Sequence, residues 1–317
     1  MAELAAPRDA YRGETVVFIG AGTSIRPYDL SRIRHRLVSC NYFLPFGPER
    51  WGVTLEAYLC HDPRVFFVPW ERHRAGKNLV SPDGDLSAFP SPADYILEHE
   101  LYRKTKLILP ARLDWYTGFD THWLFKGEDT ARHRRWLPSL LAEGGADQVF
   151  TYGVQEPAPV TTLDGFRRRA RRQLLYGGTY KEGGFDPHGY VCGVPAWVDA
   201  LLPPVRQAAL LATRDGTVSV PMWAVNSFCN TILPVLYFLG FAEIILMGVD
   251  YDKEGYFFNP YRSPDERFFY REEFDELYFL FGLGRRLPHR PRVKIVRTGT
   301  NHITPPDGFV DFEEICA

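Results

Sequence analysis

The sequence predicts an α/β fold: a mostly parallel sheet carrying a large insertion or lid. Three observations lead there. A β-branched run, Thr15–Ile19, is followed at once by Gly20-Ala21-Gly22-Thr23-Ser24. Two more apolar segments, 36–39 and 55–60, end in small polar positions, and a helical pattern over 226–240 feeds a further apolar strand over 243–250. Buried parallel strands read as near-continuous apolar runs, and helices alternating with them give such sheets.

Taken in order, Thr15–Ile19 is the first strand, and the glycines after it permit a tight turn with exposed amides. Pro27 and Asp29 mark a short helical start reaching Arg34. The second strand ends at Cys40-Asn41 and the third at His61-Asp62, so Ser24, Asn41 and Asp62 follow the carboxyl ends of successive strands. That edge is where ligands bind in open α/β sheets. Between 66 and 190, segments 106–109 and 148–152 read as strands, and the rest lacks sustained periodicity. The arginine-rich run 166–173 reads as a helix, either a solvated face or a grip on an anion, and 176–184 as a glycine-rich lid loop. The helix over 226–240 carries Phe228, Ile232, Val235, Leu236 and Leu239 at helical spacing and stops at Gly240. Residues 267–283 read as another helix and 293–297 as a last strand. With no repeat or linker, residues 1–65 and 191–317 are expected to form one core, and 66–190 an acceptor-side insertion.

Composition narrows the function. The 317 residues carry 37 basic against 39 acidic side chains, for a net charge of −2, which argues against a nucleic-acid partner. All but seven of the basic residues are arginine and aromatics reach 15%, a bias that suits planar, anionic or sugar-like ligands and equally a GC-rich genome. Five scattered cysteines support neither a disulfide framework nor a zinc site and point to a reducing cytoplasm. Residues 1–13 lack the apolar core of a signal peptide, and the longest apolar stretch, 231–246, is broken by Pro234, Gly240 and Glu243. A soluble cytoplasmic protein is expected, with peripheral membrane contact left open.

Gly20-x-Gly22 opens like a dinucleotide fingerprint, but Ile25 stands where the third glycine belongs and Asn41 where the ribose-binding acid does, so a nicotinamide cofactor is not expected. The turn itself still offers amides at Ala21, Gly22, Thr23 and Ser24, with the Ser24 hydroxyl, for a phosphate or the polar edge of a nucleotide. Asn226, Ser227 and Phe228 open a buried helix, where the helix dipole favours an anion. Asp250-Tyr251-Asp252 has the form of a divalent-metal Asp-x-Asp, and equally of a loop cap. His61, His188, His289 and His302 are loop candidates for a base.

Together the stretches 16–24, Asp29, 38–43 and 239–250 resemble the bacterial sialyltransferases of glycosyltransferase family 42. Those enzymes have a strand followed by Gly-Asn-Gly-Pro-Ser, then Arg-Cys-Asn-x-Phe, and later Leu-Gly-Tyr-Lys-Glu-Ile-Tyr-Leu-Ser-Gly-Ile-Asp. Flagellin glycosyltransferases of the motility-associated type and archaeal pterin pyrophosphokinases share the same blocks. The resemblance covers about a third of the chain. It implies a Rossmann-like core of the GT-A-like kind, with Ser24 and Asn41 on the cytidine monophosphate (CMP) part of a CMP-sugar. Asp62 falls where the family has asparagine, residues 226–228 near further donor contacts, and Tyr251 and Tyr256 where two tyrosines hold the leaving phosphate. Ala21 replaces the loop asparagine. No histidine opens the 267–283 helix, where the family keeps its general base; Tyr270, Glu273 and Asp275 are the polar residues there, with His302 the other candidate base.

The resemblance thus implies a glycosyltransferase that moves a sugar, such as a nonulosonic acid, from a CMP-activated donor to a surface-glycan or protein acceptor, with no cofactor required. Two alternatives stand beside it: a Mg²⁺-dependent pyrophosphokinase of the pterin type, and a degenerate transferase fold acting as a binding module.

Overall fold

The computed structural model describes residues 10–60, 63–72, 89–110, 130–142, 148–155, 212–214, 217–221, 232–250, 255–260, 277, 280–282, 284–285, 287, 289–299 and 303–317. Ten strands form one sheet: β1 (Thr15–Ile19), β2 (Arg36–Cys40), β3 (Ala57–Leu59), β4 (Lys106–Pro110), β5 (Val149–Gln155), β6 (Ala212–Arg214), β7 (Thr217–Pro221), β8 (Glu243–Met247), β11 (Arg292–Val296) and β12 (Phe309–Val310). A separate hairpin pairs β9 (Gly255–Tyr256) with β10 (Asn259–Pro260).

The spatial order is β12-β11-β8-β1-β2-β3-β4-β5-β7-β6. Every neighbouring pair in it is parallel except β6 with β7. This is the α/β, mostly parallel architecture expected from the sequence. Residues 66–190, expected as an insertion, supply β4 and β5 to the sheet itself. From β1 the chain builds outward through β2, β3, β4, β5 and β7, then returns to lay β8, β11 and β12 on the other side. The order therefore reverses between β1 and β8, and a crevice opens at such a switch point.

Alternation across the strands sorts the core into two layers. Val17, Ile19, Leu107, Ile245 and Met247 face one side with Leu30, Phe43, Phe66, Ile96 and Leu140. That side is covered by α1 (Phe46–Trp51), α2 (Pro63–Phe67), α3 (Pro92–Glu98), α4 (Thr130–Ala142) and the C-terminal α6 (Phe312–Cys316). Val16, Phe18, Leu59, Ile244 and Leu246 face the other side, against α5 (Leu233–Phe238) and helical residues Leu277, Leu280 and Phe281. There the Tyr237 hydroxyl donates to the Leu280 carbonyl at 3.0 Å. Each of these side chains contributes about 1.5–3 kcal/mol by leaving water.

Helix ends follow sequence signals. Ser91 caps α3, its hydroxyl accepting the Asp94 amide at 3.1 Å with Pro92 in the first turn. Asp311 and Glu314 form a reciprocal capping box on α6.

One cluster of charged side chains lies at the amino edge of the sheet. Glu56, just before β3, accepts from the Tyr11 hydroxyl at 2.6 Å, from Arg36 at 2.7 Å and from Lys106. Arg36 also pairs with Glu14, and Glu243 with Arg292 and Lys294. Burial pushes the Glu56 carboxyl up, but the bonds from Lys106 and Tyr11 and the charges of Lys106 and Arg36 outweigh it and hold its pKa below the ordinary value. His289 lies in the turn just before β11. It is therefore at the opposite end of the strands from the crevice and is removed from the candidate bases.

Candidate functional site

The carboxyl edge is tied together strand by strand, each link joining neighbours in the sheet. Ser39, at the end of β2, donates its hydroxyl to the Ile19 carbonyl of β1 at 2.5 Å. Tyr58 of β3 donates to the Asn41 carbonyl at 2.9 Å. Burial raises the Tyr58 pKa well above its ordinary value, so this phenol stays a donor. Burial likewise pushes the Cys40 thiol far up, which removes it as a nucleophile.

Asn41 has φ of 51°, a left-handed backbone that asparagine tolerates better than most residues. It opens a 3₁₀ turn, Asn41–Phe43, directly beyond the strand end. Asn41 is thereby held half-buried just beyond the carboxyl end of β2, the position expected from the sequence.

At the switch point itself three glycines let two loops cross. The Gly20 amide donates to the Met247 carbonyl at 2.7 Å and the Gly22 amide to the Gly248 carbonyl at 2.9 Å. A Cβ on Gly20 would lie 2.8 Å from the Gly248 carbonyl carbon and nearer still to its oxygen. A Cβ on Gly22 would fall 2.5 Å from the Asp250 Cγ. Gly248 has φ of +69°, and its own Cβ would meet Ile25 Cγ2 at 2.7 Å. None of the three positions accepts a side chain without displacement.

This crossing brings Asp250 onto the turn Thr23–Ile25. The Ser24 amide donates to Asp250 Oδ2 at 2.8 Å, and the Ser24 hydroxyl donates to Asp250 Oδ1. The anion held by the glycine loop is thus a carboxylate of the chain itself. Of the amides expected to cradle a phosphate, those of Gly22 and Ser24 already have partners. Where a phosphate or nucleotide edge is expected over Ala21 to Ser24, the Gly22 and Ser24 amides are thus already bonded within the chain, because β8 lies beside β1 and brings Asp250 to the loop.

The hairpin closes the arrangement. Tyr256 bridges Gly22 in antiparallel fashion, and the Phe257 amide donates to the Ala21 carbonyl at 2.9 Å. The Tyr256 ring stacks on Phe258 at 5.4 Å between centroids and meets the edge of Trp70 at 5.0 Å. Phe258 stacks in turn on Phe46 at 3.8 Å, and Phe257 packs against Trp51 and Phe43. Aromatic pairs of this geometry add about 0.5–1.5 kcal/mol each beyond their burial. Tyr256 is therefore fixed over the glycine loop by both backbone and ring.

The structure brings together Gly20, Ala21, Gly22, Thr23, Ser24, Asp250 and Tyr256, and places Asn41 at the same edge, just beyond β2. Asp62, Asn226, Ser227, Phe228, Tyr251, Asp252, Tyr270, Glu273, Asp275 and His302 lie outside the described residues, as do 166–173 and 176–184. Among the described residues no group of three or more His, Cys, Asp or Glu is placed to hold a metal ion, and no helix is long and apolar enough to cross a membrane. Sequence reasoning missed the aromatic seat of the hairpin, Phe46, Trp51, Trp70 and Phe258. The aromatic richness of the chain was its signal, but no spacing links residues so far apart.

No family model matches the sequence, and neither does any curated protein. Among solved structures, the chain is similar to the sialyltransferase CstII from Campylobacter jejuni in complex with the substrate analogue cytidine-5′-monophosphate. The TM-score is 0.36 at 11% identity, covering 93% of this chain and 87% of that one. Against CstII in complex with CMP-3FNeuAc the TM-score is 0.37 at 12% identity, with 93% and 88% covered. Against the CST-II complex with a trisaccharide acceptor and CMP it is 0.34 at 9%, again with 93% and 88% covered. Likeness at this level assigns no residue and no activity.

Proposed function

We propose that this protein is a glycosyltransferase that binds a CMP-activated sugar at the carboxyl edge of the sheet, over the loops that follow β1 and β8, and passes the sugar to a glycan or protein hydroxyl. One observation carries the reading. The Gly20–Ser24 loop, Asp250 and Tyr256, named from the sequence, meet at the carboxyl edge where the strand order reverses, with Asn41 just beyond the end of neighbouring β2. The sequence resemblance supplies the cytidine nucleotide and the nonulosonic acid.

In this reading the acceptor oxygen attacks the anomeric carbon while the bond from that carbon to the phosphate oxygen breaks. CMP leaves with the bonding electrons. Tyr256, and with it Tyr251, donates hydrogen bonds to the phosphate as its charge develops, which serves in place of a metal. A base takes the acceptor proton, for which Tyr270, Glu273, Asp275 and His302 are the candidates. Mg²⁺ enters only under the pyrophosphokinase alternative.

Calorimetry with CMP, UDP, GDP and ATP, the last with and without Mg²⁺, tests the reading. CMP is expected to bind without metal, and Asn41→Gly to weaken it about three- to tenfold, the worth of one hydrogen bond. Firm binding of ATP only with Mg²⁺, or of another nucleotide in place of CMP, overturns it. Release of CMP from a CMP-nonulosonic acid on incubation with the protein separates an enzyme from a binding module.

A further inference from the structure

We propose that the Ser24–Asp250 pair is the site of a sugar hydroxyl, the ribose diol of the bound nucleotide, and that the phosphate lies away from it. This rests on the cytidine-nucleotide reading and says which part of the nucleotide meets the glycine loop.

The argument is one of proton counting. A serine hydroxyl has one proton and two lone pairs. At Ser24 that proton goes to Asp250 Oδ1, and the Ser24 amide proton goes to Asp250 Oδ2. Both residues are partly exposed. Ser24 Oγ can therefore offer a ligand only its lone pairs, and the carboxylate beside it likewise only accepts. A phosphate oxygen is itself an acceptor and carries negative charge. Placed here it would find no donor from Ser24 and would meet the Asp250 charge at close range. A hydroxyl brings a proton to acceptors of this kind, and a vicinal diol brings two at the spacing of adjacent acceptors.

The pair is held in this polarity by the crossing. The Asp250 carboxyl group lies against the Gly22 Cα, and the Gly248 carbonyl accepts the Gly22 amide. Neither the turn nor the acid can withdraw without breaking the other's bonds.

Asp250→Asn inverts the polarity without changing the shape. The Ser24 amide must keep the side-chain oxygen as its acceptor, which puts the new NH₂ group against Ser24 Oγ as a donor. The serine proton is then released toward the ligand.

Calorimetry with CMP and with its 2′-deoxy, 3′-deoxy, 2′-fluoro and 3′-fluoro analogues reads this out, because fluorine accepts but cannot donate. In the wild type, at least one deoxy analogue is expected to bind about tenfold more weakly than CMP, with its fluoro counterpart no better. In Ser24→Ala that penalty shrinks to about twofold, and in Asp250→Asn the fluoro analogue recovers relative to the deoxy one. Urea unfolding checks that both variants fold.

A wild type that binds every analogue as tightly as CMP overturns the proposal, as does one in which fluorine substitutes fully for the hydroxyl. If UMP, GMP or AMP binds in place of CMP, the donor reading falls alone and the same cycle on that nucleotide decides the diol site. If none of the four binds, both fall.

Discussion

Replacing Gly22 by alanine tests the crossing of the two loops most directly. Gly22 has φ of −66° and ψ of 159°, a backbone that alanine adopts freely, so any cost comes from what the new methyl group meets. It would meet Asp250 Cγ at 2.5 Å and the Gly248 carbonyl oxygen at 2.7 Å. Methyl carbons in folded proteins do not approach neighbours so closely, so the carboxylate must swing away or the backbone must part. Overpacking of this kind costs about 1–3 kcal/mol. Displacing the carboxylate also gives up its charged hydrogen bonds from Ser24, together worth about 1.5–3 kcal/mol. We expect Gly22→Ala to lower the unfolding free energy by about 2.5–6 kcal/mol, measured by urea denaturation. Gly299→Ala, whose methyl meets nothing within 4 Å, is the control and should stay within about 0.5 kcal/mol. In an Asp250→Ala background the obstructing side chain is gone, and the cost of Gly22→Ala should fall by at least about 1 kcal/mol. If Gly22→Ala costs no more than Gly299→Ala, or costs the same with and without Asp250, the acid does not sit on the glycine loop and the diol site falls with it.

Asn41 separates backbone from side chain: Asn41→Ala should lose about 1 kcal/mol of stability from its left-handed φ, whereas Asn41→Gly keeps stability and loses CMP affinity in calorimetry. Equal stability of the two variants would contradict the backbone account. Trp70, buried under Tyr256 and Phe258, should cost about 3–5 kcal/mol on truncation to alanine and weaken CMP binding by loosening the hairpin; full stability would show that the hairpin is seated elsewhere. Glu56 titrates lower in the folded chain than unfolded, so its contribution is complete above about pH 4.5 and is lost as pH falls through the lower folded value. Unfolding followed over that range should show Glu56→Gln with a flatter acid limb than the wild type, and parallel limbs would refute the assignment.

Where one short segment decides an element, the sequence sufficed. Thr15–Ile19 is β1 to the residue, because a β-branched run closed by glycine has few other places to go. The strands expected at 36–39, 106–109 and 243–250 are β2, β4 and β8 within a few residues. Placing Ser24 and Asn41 just beyond strand ends needed only the point where an apolar run stops. The helix expected over 226–240 is described over Leu233–Phe238, where its apolar spacing is densest.

The sequence by itself determined the fold class, the strands beside β1 and the small polar residues that follow them, because each is set by side chains within a few positions. What Ser24 does was decided only by the tertiary structure. Its partner lies 226 positions away, and the order β8-β1-β2 alone puts the two loops in contact. The same order turned a loop legible as an anion cradle into a paired hydroxyl and carboxylate. A hydrogen bond goes to whichever acceptor arrives first, and the sheet delivers Asp250.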